Sequence, residues 1–178
     1  DSWEAVFYYE YFRVMVCKVC DTVTAIQNFS DNISTVFSLI REKVLEGEEQ
    51  INAINNVVED SRRLACLLYK SAKSNFDSID SEYLPEMLLR CGCARNILYI
   101  LGDNIELYFP NNKFLMGKAV EVWKEGVEQH NEMHHCSNLD VNVDLARSYI
   151  TKIRKFDSGY LVPSRKSQGC YIATCVYG

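Results

Sequence analysis

Residues 33–58 read ISTVFSLIREKVLEGEEQINAINNVV, and within them Ile33, Phe37, Ile40, Val44, Gly47, Ile51, Ile54 and Val58 recur at alternating steps of four and three. That spacing holds one face of an α-helix against a partner helix, and a strand has no use for it. The same phase extends outward in both directions. Ala5, Tyr9, Phe12, Val16, Val19, Val23, Ile26 and Ser30 lead into it, and Ser61, Ala65 and Leu68 carry it on. Off the seam lie Arg41, Glu42, Lys43, Glu46, Glu48, Glu49, Asn52, Asn55 and Asn56, as on a helix with one buried face. Long packed helices are the expectation for the first half of the chain.

Two readings of that half stay open. An unbroken helix from residue 5 to residue 68 would be about 100 Å long, and helices of such length are rare. Asn28-Phe29-Ser30-Asp31-Asn32 offers Ser, Asp and Asn as caps, so a turn or sharp kink near Phe29 to Asn32 is the favoured reading. Residues 2–28 are apolar on most faces, with Trp3, Val6, Phe7, Tyr8, Tyr11, Val14, Met15 and Cys17 supplementing the ladder. A helix apolar all round is expected in the middle of a structure.

Farther on, Ser71 to Ser81 is polar and reads as a connection, and Pro85 fits the first turn of a third helix carrying Leu84, Leu88, Cys91, Arg95, Leu98, Leu101 and Ile105. That helix is expected to stop before Phe109-Pro110, with Gly102-Asp103-Asn104 as a possible interruption. Asn111 or Asn112 caps a fourth, with Phe114, Gly117, Val120, Trp123 or Lys124, and Val127 on one face. A fifth runs from Asp140 through Val143, Ala146, Tyr149, Ile150 and Ile153 to basic residues at its C-terminal end, where the helix dipole favours them.

At 178 residues and 48% apolar content the chain can bury one proper core without disulfide or metal. A net charge of −5 with no Lys/Arg stripe argues against nucleic acid as a partner. No run of about twenty apolar residues spans a membrane. Most of the eight cysteines sit in apolar helical pattern, where Cys acts as a small buried hydrophobe, so a reduced, cytoplasmic setting is expected. The chain begins at Asp1 and stops inside an apolar segment, as a piece of a longer protein would.

Few motifs offer chemistry. Cys17-Lys-Val-Cys20 has redox or half-zinc spacing, but it is placed mid-helix, and its partner would be Cys91-Gly-Cys93, one residue short. His130, His134 and Cys136 form the one metal candidate, with the two histidines at i and i+4; Glu132 stands out of place for a zinc protease, and a solvated helix end competes with the metal reading. Phosphate-cradling glycine loops and nucleophile elbows do not occur, so no catalytic or cofactor-binding residue is assigned, no cofactor is expected, and the chain is read as no enzyme.

The last ten residues are Gly169, Cys170, Tyr171, Ile172, Ala173, Thr174, Cys175, Val176, Tyr177 and Gly178. They resemble the start of the short C-terminal box of uncharacterised bacterial proteins, the CFI-box C-terminal domain. Phe156 to Pro163 and the following Ser164 to Gln168 are similar to the linker that precedes such a box. The resemblance implies a bacterial origin and carries no activity with it.

These readings converge on an all-α fold: an elongated helical bundle of about five helices with coiled-coil-like packing and mainly antiparallel neighbours, over residues 1–157, followed by a linker and an extended apolar tail over 158–178. The expected role is a non-enzymatic helical interaction or scaffold module, self-associating or docking a protein partner along Ile33, Phe37, Ile40, Val44, Ile51, Ile54 and Val58. The alternatives are an α-helical effector or pore-forming protein using Ile97 to Leu101 with Leu107 to Phe109 as a membrane tongue, and a metal or redox protein using the histidine patch.

Overall fold

The computed structural model describes residues 2–74, 81–137 and 143–162, with the side chains of residues 81 and 134–137 outside the description. Among the described residues there are six α-helices and no strand: α1 (Trp3–Val16), α2 (Thr22–Lys43), α3 (Glu48–Ser74), α4 (Leu84–Tyr108), α5 (Lys113–Ser137) and α6 (Val143–Phe156). The chain divides into two compact units, Asp1–Val122 and Trp123–Gly178, and the division falls within α5.

The ladder is interrupted at two places, neither of them near Phe29 to Asn32. The first is the link from Cys17 to Asp21, where Cys17 and Lys18 are extended (ψ 153° and 155°) and a 3-10 turn over Val19–Asp21 closes with Asp21 N–H donating to the Lys18 carbonyl at 2.9 Å. The second is Val44 to Gly47. Val44 is extended, and Gly47 has φ +112°, a conformation that a residue with a Cβ rarely adopts. Gln50 reinforces this second stop. Its buried side-chain amide lies 3.4 Å from each of the Ile40, Arg41 and Val44 carbonyls at the end of α2, where backbone acceptors run out of helical partners, although Ile40 also accepts from Val44 N–H at 3.0 Å.

Both the favoured kink and the single long helix are thereby corrected. Phe29 and Ser30 are buried in the middle of α2, and Asn32 donates its side-chain amide to the Asn28 carbonyl at 2.9 Å. Asn32 bonds back onto its own helix, and packing of Phe29 outweighs the capping preference of the residues around it. Gly102 to Asn104 likewise leaves α4 unbroken, because Asn104 donates to the Ile100 carbonyl at 2.8 Å.

In the first unit α4 is the helix that buries most of its surface. Both α2 and α3 pack on it, while α1 folds back on α2. Met87, Cys91, Ala94, Ile97, Leu98, Leu101 and Ile105 are all buried, and between Cys91 and Gly102 the one charged residue is Arg95. Arg90 at the start of α4 donates to the Val19 carbonyl at 3.1 Å, and Tyr108 at its end shares a hydrogen bond with Ser34 and a ring contact with Phe37. α2 therefore runs parallel to α4, an exception among the mainly antiparallel neighbours expected. The central position predicted for residues 2–28 is also corrected: α1 buries a single stripe, Phe7, Glu10 and Val14.

Pro85 occupies the first turn of α4, and Asn112 caps α5 by accepting from Leu115 N–H at 3.1 Å. The inward face of α5 is rotated from the predicted one, however. Leu115, Met116, Ala119, Val122, Trp123 and Val127 are buried, while Phe114 and Gly117 are exposed. In the N-terminal part of α5, Lys118 pairs with Glu59 of α3 at 2.9 Å. In the second unit Trp123 meets the rings of Tyr149 and Phe156 at 6.3 and 6.2 Å, and the Lys152 ammonium lies 4.6 Å from its ring centre. The first residues of the expected linker are anchored there as well. Lys124 bonds Asp157 at 2.8 Å and covers the buried Tyr160 ring at 5.3 Å.

Two outcomes are expected. Leu98→Ala should cost about 2–5 kcal/mol in urea unfolding, whereas Leu89→Ala, on the exposed side of the same helix, should cost less than about 1 kcal/mol. The second concerns pH. The hydrogen bond with Lys118 holds the Glu59 carboxyl below its ordinary range, and the same bond holds the Lys118 ammonium above its own. The Glu59 contribution is complete above the unfolded carboxylate pKa and is lost as pH falls through the lower folded value; that of Lys118 is complete below the unfolded amine pKa and is lost as pH rises through the higher folded value. Glu59→Gln should therefore cost under about 1 kcal/mol at neutral pH, and the gap from the native chain should close as unfolding is measured at progressively lower pH below about 5.

Candidate interaction surface

α1 is held firmly on one side. Ser2 accepts from Ala5 N–H at 3.2 Å to start the helix, and Phe7 inserts against Phe29 of α2 with ring centres 5.8 Å apart. The buried Glu10 carboxylate receives the Arg13 guanidinium at 3.1 Å on both oxygens, so this acid is balanced within its own helix. Tyr8 donates its hydroxyl to Asp60 of α3 at 3.1 Å. Burial and the neighbouring Asp60 carboxylate push the Tyr8 phenol up from its ordinary pKa, which keeps the donor protonated.

The opposite side of α1 has no neighbour among the described residues of this unit. Tyr9 is 65% exposed, Phe12 58%, Val16 79%, and Val19, in the turn that follows, 67%. With exposed Ala5 they make up the first steps of the four-three ladder, and Met15 lies exposed beside them. The rungs are ordered by contacts among themselves: Phe12 stacks on Tyr8 at 6.1 Å and meets Tyr11 edge-on at 5.5 Å, and Arg13 lies 5.7 Å from the centre of the Tyr9 ring. An aromatic side chain so exposed presents on the order of 100 Å², and the whole face roughly 500 Å², at the upper end of what a monomer commonly leaves open.

The seam assigned from sequence lies elsewhere and is covered. Ile33, Phe37, Ile40, Ile54 and Val58 are buried inside the chain, and Val44 and Ile51 are half-buried around the α2–α3 connection. They serve the chain's own core. Sequence reasoning placed Tyr9, Phe12, Val16 and Val19 on the same ladder and favoured a core role for the aromatic cluster Phe7, Tyr8, Tyr9, Tyr11 and Phe12 over a ligand box or an exposed interaction surface. The available signal was a second apolar stripe, Phe7, Tyr11 and Val14, on a helix of 14 residues with a single main neighbour, which can cover just one of the two.

The Cys17–Cys20 pair does not lie mid-helix. It occupies the α1–α2 link, with Cys20 exposed and the half-buried Cys17 thiol donating to the Val14 carbonyl at 3.1 Å. Cys91 and Cys93 do lie within α4; burial pushes the Cys93 thiol up, against the opposing effect of Arg95. His130 is buried in α5, whereas the His134 and Cys136 side chains lie outside the described residues. Among the described residues no three His, Cys, Asp or Glu side chains converge in a way that would hold a metal ion. The C-terminal box, residues 169–178, lies outside the described residues. Most of the expected membrane tongue, Ile97 to Leu101, is buried in α4, and no described helix is long and apolar enough to cross a membrane.

Comparison of the chain with family models, with curated proteins and with solved structures finds no match.

Proposed function

We propose that the chain is a non-enzymatic helical interaction module that pairs with a second copy of itself through the outer face of α1. The observation that carries this reading is the exposure of Tyr9, Phe12, Val16 and Val19 at coiled-coil spacing. A row of side chains at steps of four and three fits best into the holes of a helix with the same repeat, and a second α1 supplies one. Two such faces would bury about 1,000 Å² in total, near the lower limit for a specific interface, so a reversible dimer is expected. A membrane surface is the weaker occupant. α1 carries Glu4 and Glu10 against a single Arg13, the opposite of the basic rim that draws an amphipathic helix to anionic lipid. A reducing, cytoplasmic setting suits Cys20, an exposed thiol at the end of this face.

In sedimentation equilibrium the native chain should dimerise, and Phe12→Glu or Val16→Glu should weaken the association about 100-fold, the loss of several kcal/mol expected when a charge enters a desolvated centre. Helical circular dichroism should be unchanged, because both side chains are already exposed. Leu89→Glu, an exposed apolar position on α4, serves as the control and should leave the dimer intact. A native chain that stays monomeric at millimolar concentration, or a dimer indifferent to both α1 substitutions, refutes the reading.

A further inference from the structure

Two buried charges lie on helices of the first unit, and one is balanced. Glu10 has Arg13. Arg95, on the central helix, is 8% exposed, and its Nε is buried without a hydrogen-bond partner among the described residues. The titratable groups that act on it most strongly are Tyr99, Tyr69, Cys91 and Cys93, and none is a carboxylate. Burial pulls the guanidinium down from its ordinary pKa, yet arginine keeps its proton in any normal setting. A buried cation without an anion costs several kcal/mol, so native structures supply a counter-charge.

The surroundings leave room for one. A Cβ built on Gly92 would meet a single neighbouring atom within 4 Å, Arg95 Nη2 at 3.7 Å. Gly92 and Cys93 are both half-exposed, so solvent reaches α4 where the guanidinium folds back along its own helix. Among the described residues the glycine thus leaves open the approach to a planar, multiply donating cation that is buried in the electrostatic reach of Tyr99, Cys91 and, from α3, Tyr69.

We propose that Arg95 and the open position over Gly92 form a binding site for a small oxyanion, a phosphate or a carboxylate. The guanidinium supplies paired N–H donors in the plane that such oxygens accept from. The site is independent of the α1 face.

Thermal unfolding of the full chain tests it, with sodium phosphate or sodium acetate titrated at ionic strength held constant with chloride. The expected result is a saturable rise of the midpoint, about 3–6 °C at tenfold excess over the dissociation constant or beyond, with at least one of the two anions. A rise with phosphate alone identifies a phosphate site, and a rise with acetate alone a carboxylate site. Gly92→Val, which fills the open position and keeps the charge, should weaken the response at least tenfold, as should Arg95→Gln. Should Arg95→Gln fail to fold, the glycine variant carries the test. A native chain that responds no more than to chloride, or an equal response in Gly92→Val, overturns the proposal.

Discussion

Everything in the first unit follows from the burial of α4. A helix with Met87, Leu98, Leu101 and Ile105 enclosed together with Ala94 and Ile97 gives only a narrow stripe, Leu89, Asn96 and Leu107, to water, so other helices must cover the rest. α2 and α3 do so, and each fully buried aliphatic or aromatic side chain contributes about 1.5–3 kcal/mol toward offsetting the entropy of ordering three helices. α1 comes after this demand is met. It packs on α2 through Phe7, buries Val14, is tied to α3 by Tyr8, and no described helix of this unit covers its other face. The exposed rungs are therefore a consequence of where the core sits, and the proposed dimer is the same packing rule continued between two chains.

How much of this was legible in the sequence depends on what each signal can distinguish. Helix content was, because the four-three spacing of Ile26, Ile33, Phe37, Ile40, Ile54 and Val58 has no other reading and all six are buried. Helix starts were legible where local chemistry decides them, at Pro85 and at Asn112. Helix ends at residues 17 and 44 were not. A link that inserts residues without shifting the four-three phase leaves the ladder intact, and Cys17 to Asp21 contains neither Gly nor Pro. The misplaced break at Phe29 shows the converse: Asn and Ser read as caps in isolation, but a buried Phe29 between them holds the helix through.

The candidate surface was half legible. Its residues appeared on the ladder in the right order, yet spacing is identical for a seam inside one chain and a seam between two. What separates Phe12 from Phe37 is a neighbour contributed by residues about seventy positions away, since Phe37 meets Tyr108 and Phe109 whereas Phe12 meets just Tyr8 and Tyr11. Arg95 was visible as a charge on an apolar face, but that no carboxylate among the described residues pairs with it emerges only when α3 and α4 are brought together. Tertiary covering in both cases carries information that no local pattern holds.

The claim that α1 presents a seam to a second copy is tested most directly by intermolecular nuclear Overhauser effects in a dimer mixed from isotope-labelled and unlabelled chains. The account predicts cross-chain contacts confined to Tyr9, Phe12, Met15, Val16 and Val19, with the Ile33 to Val58 side chains showing contacts within one chain alone. Cross-chain contacts from Phe37 or Ile54, or none from the α1 rungs in a sample shown to be dimeric, would contradict it.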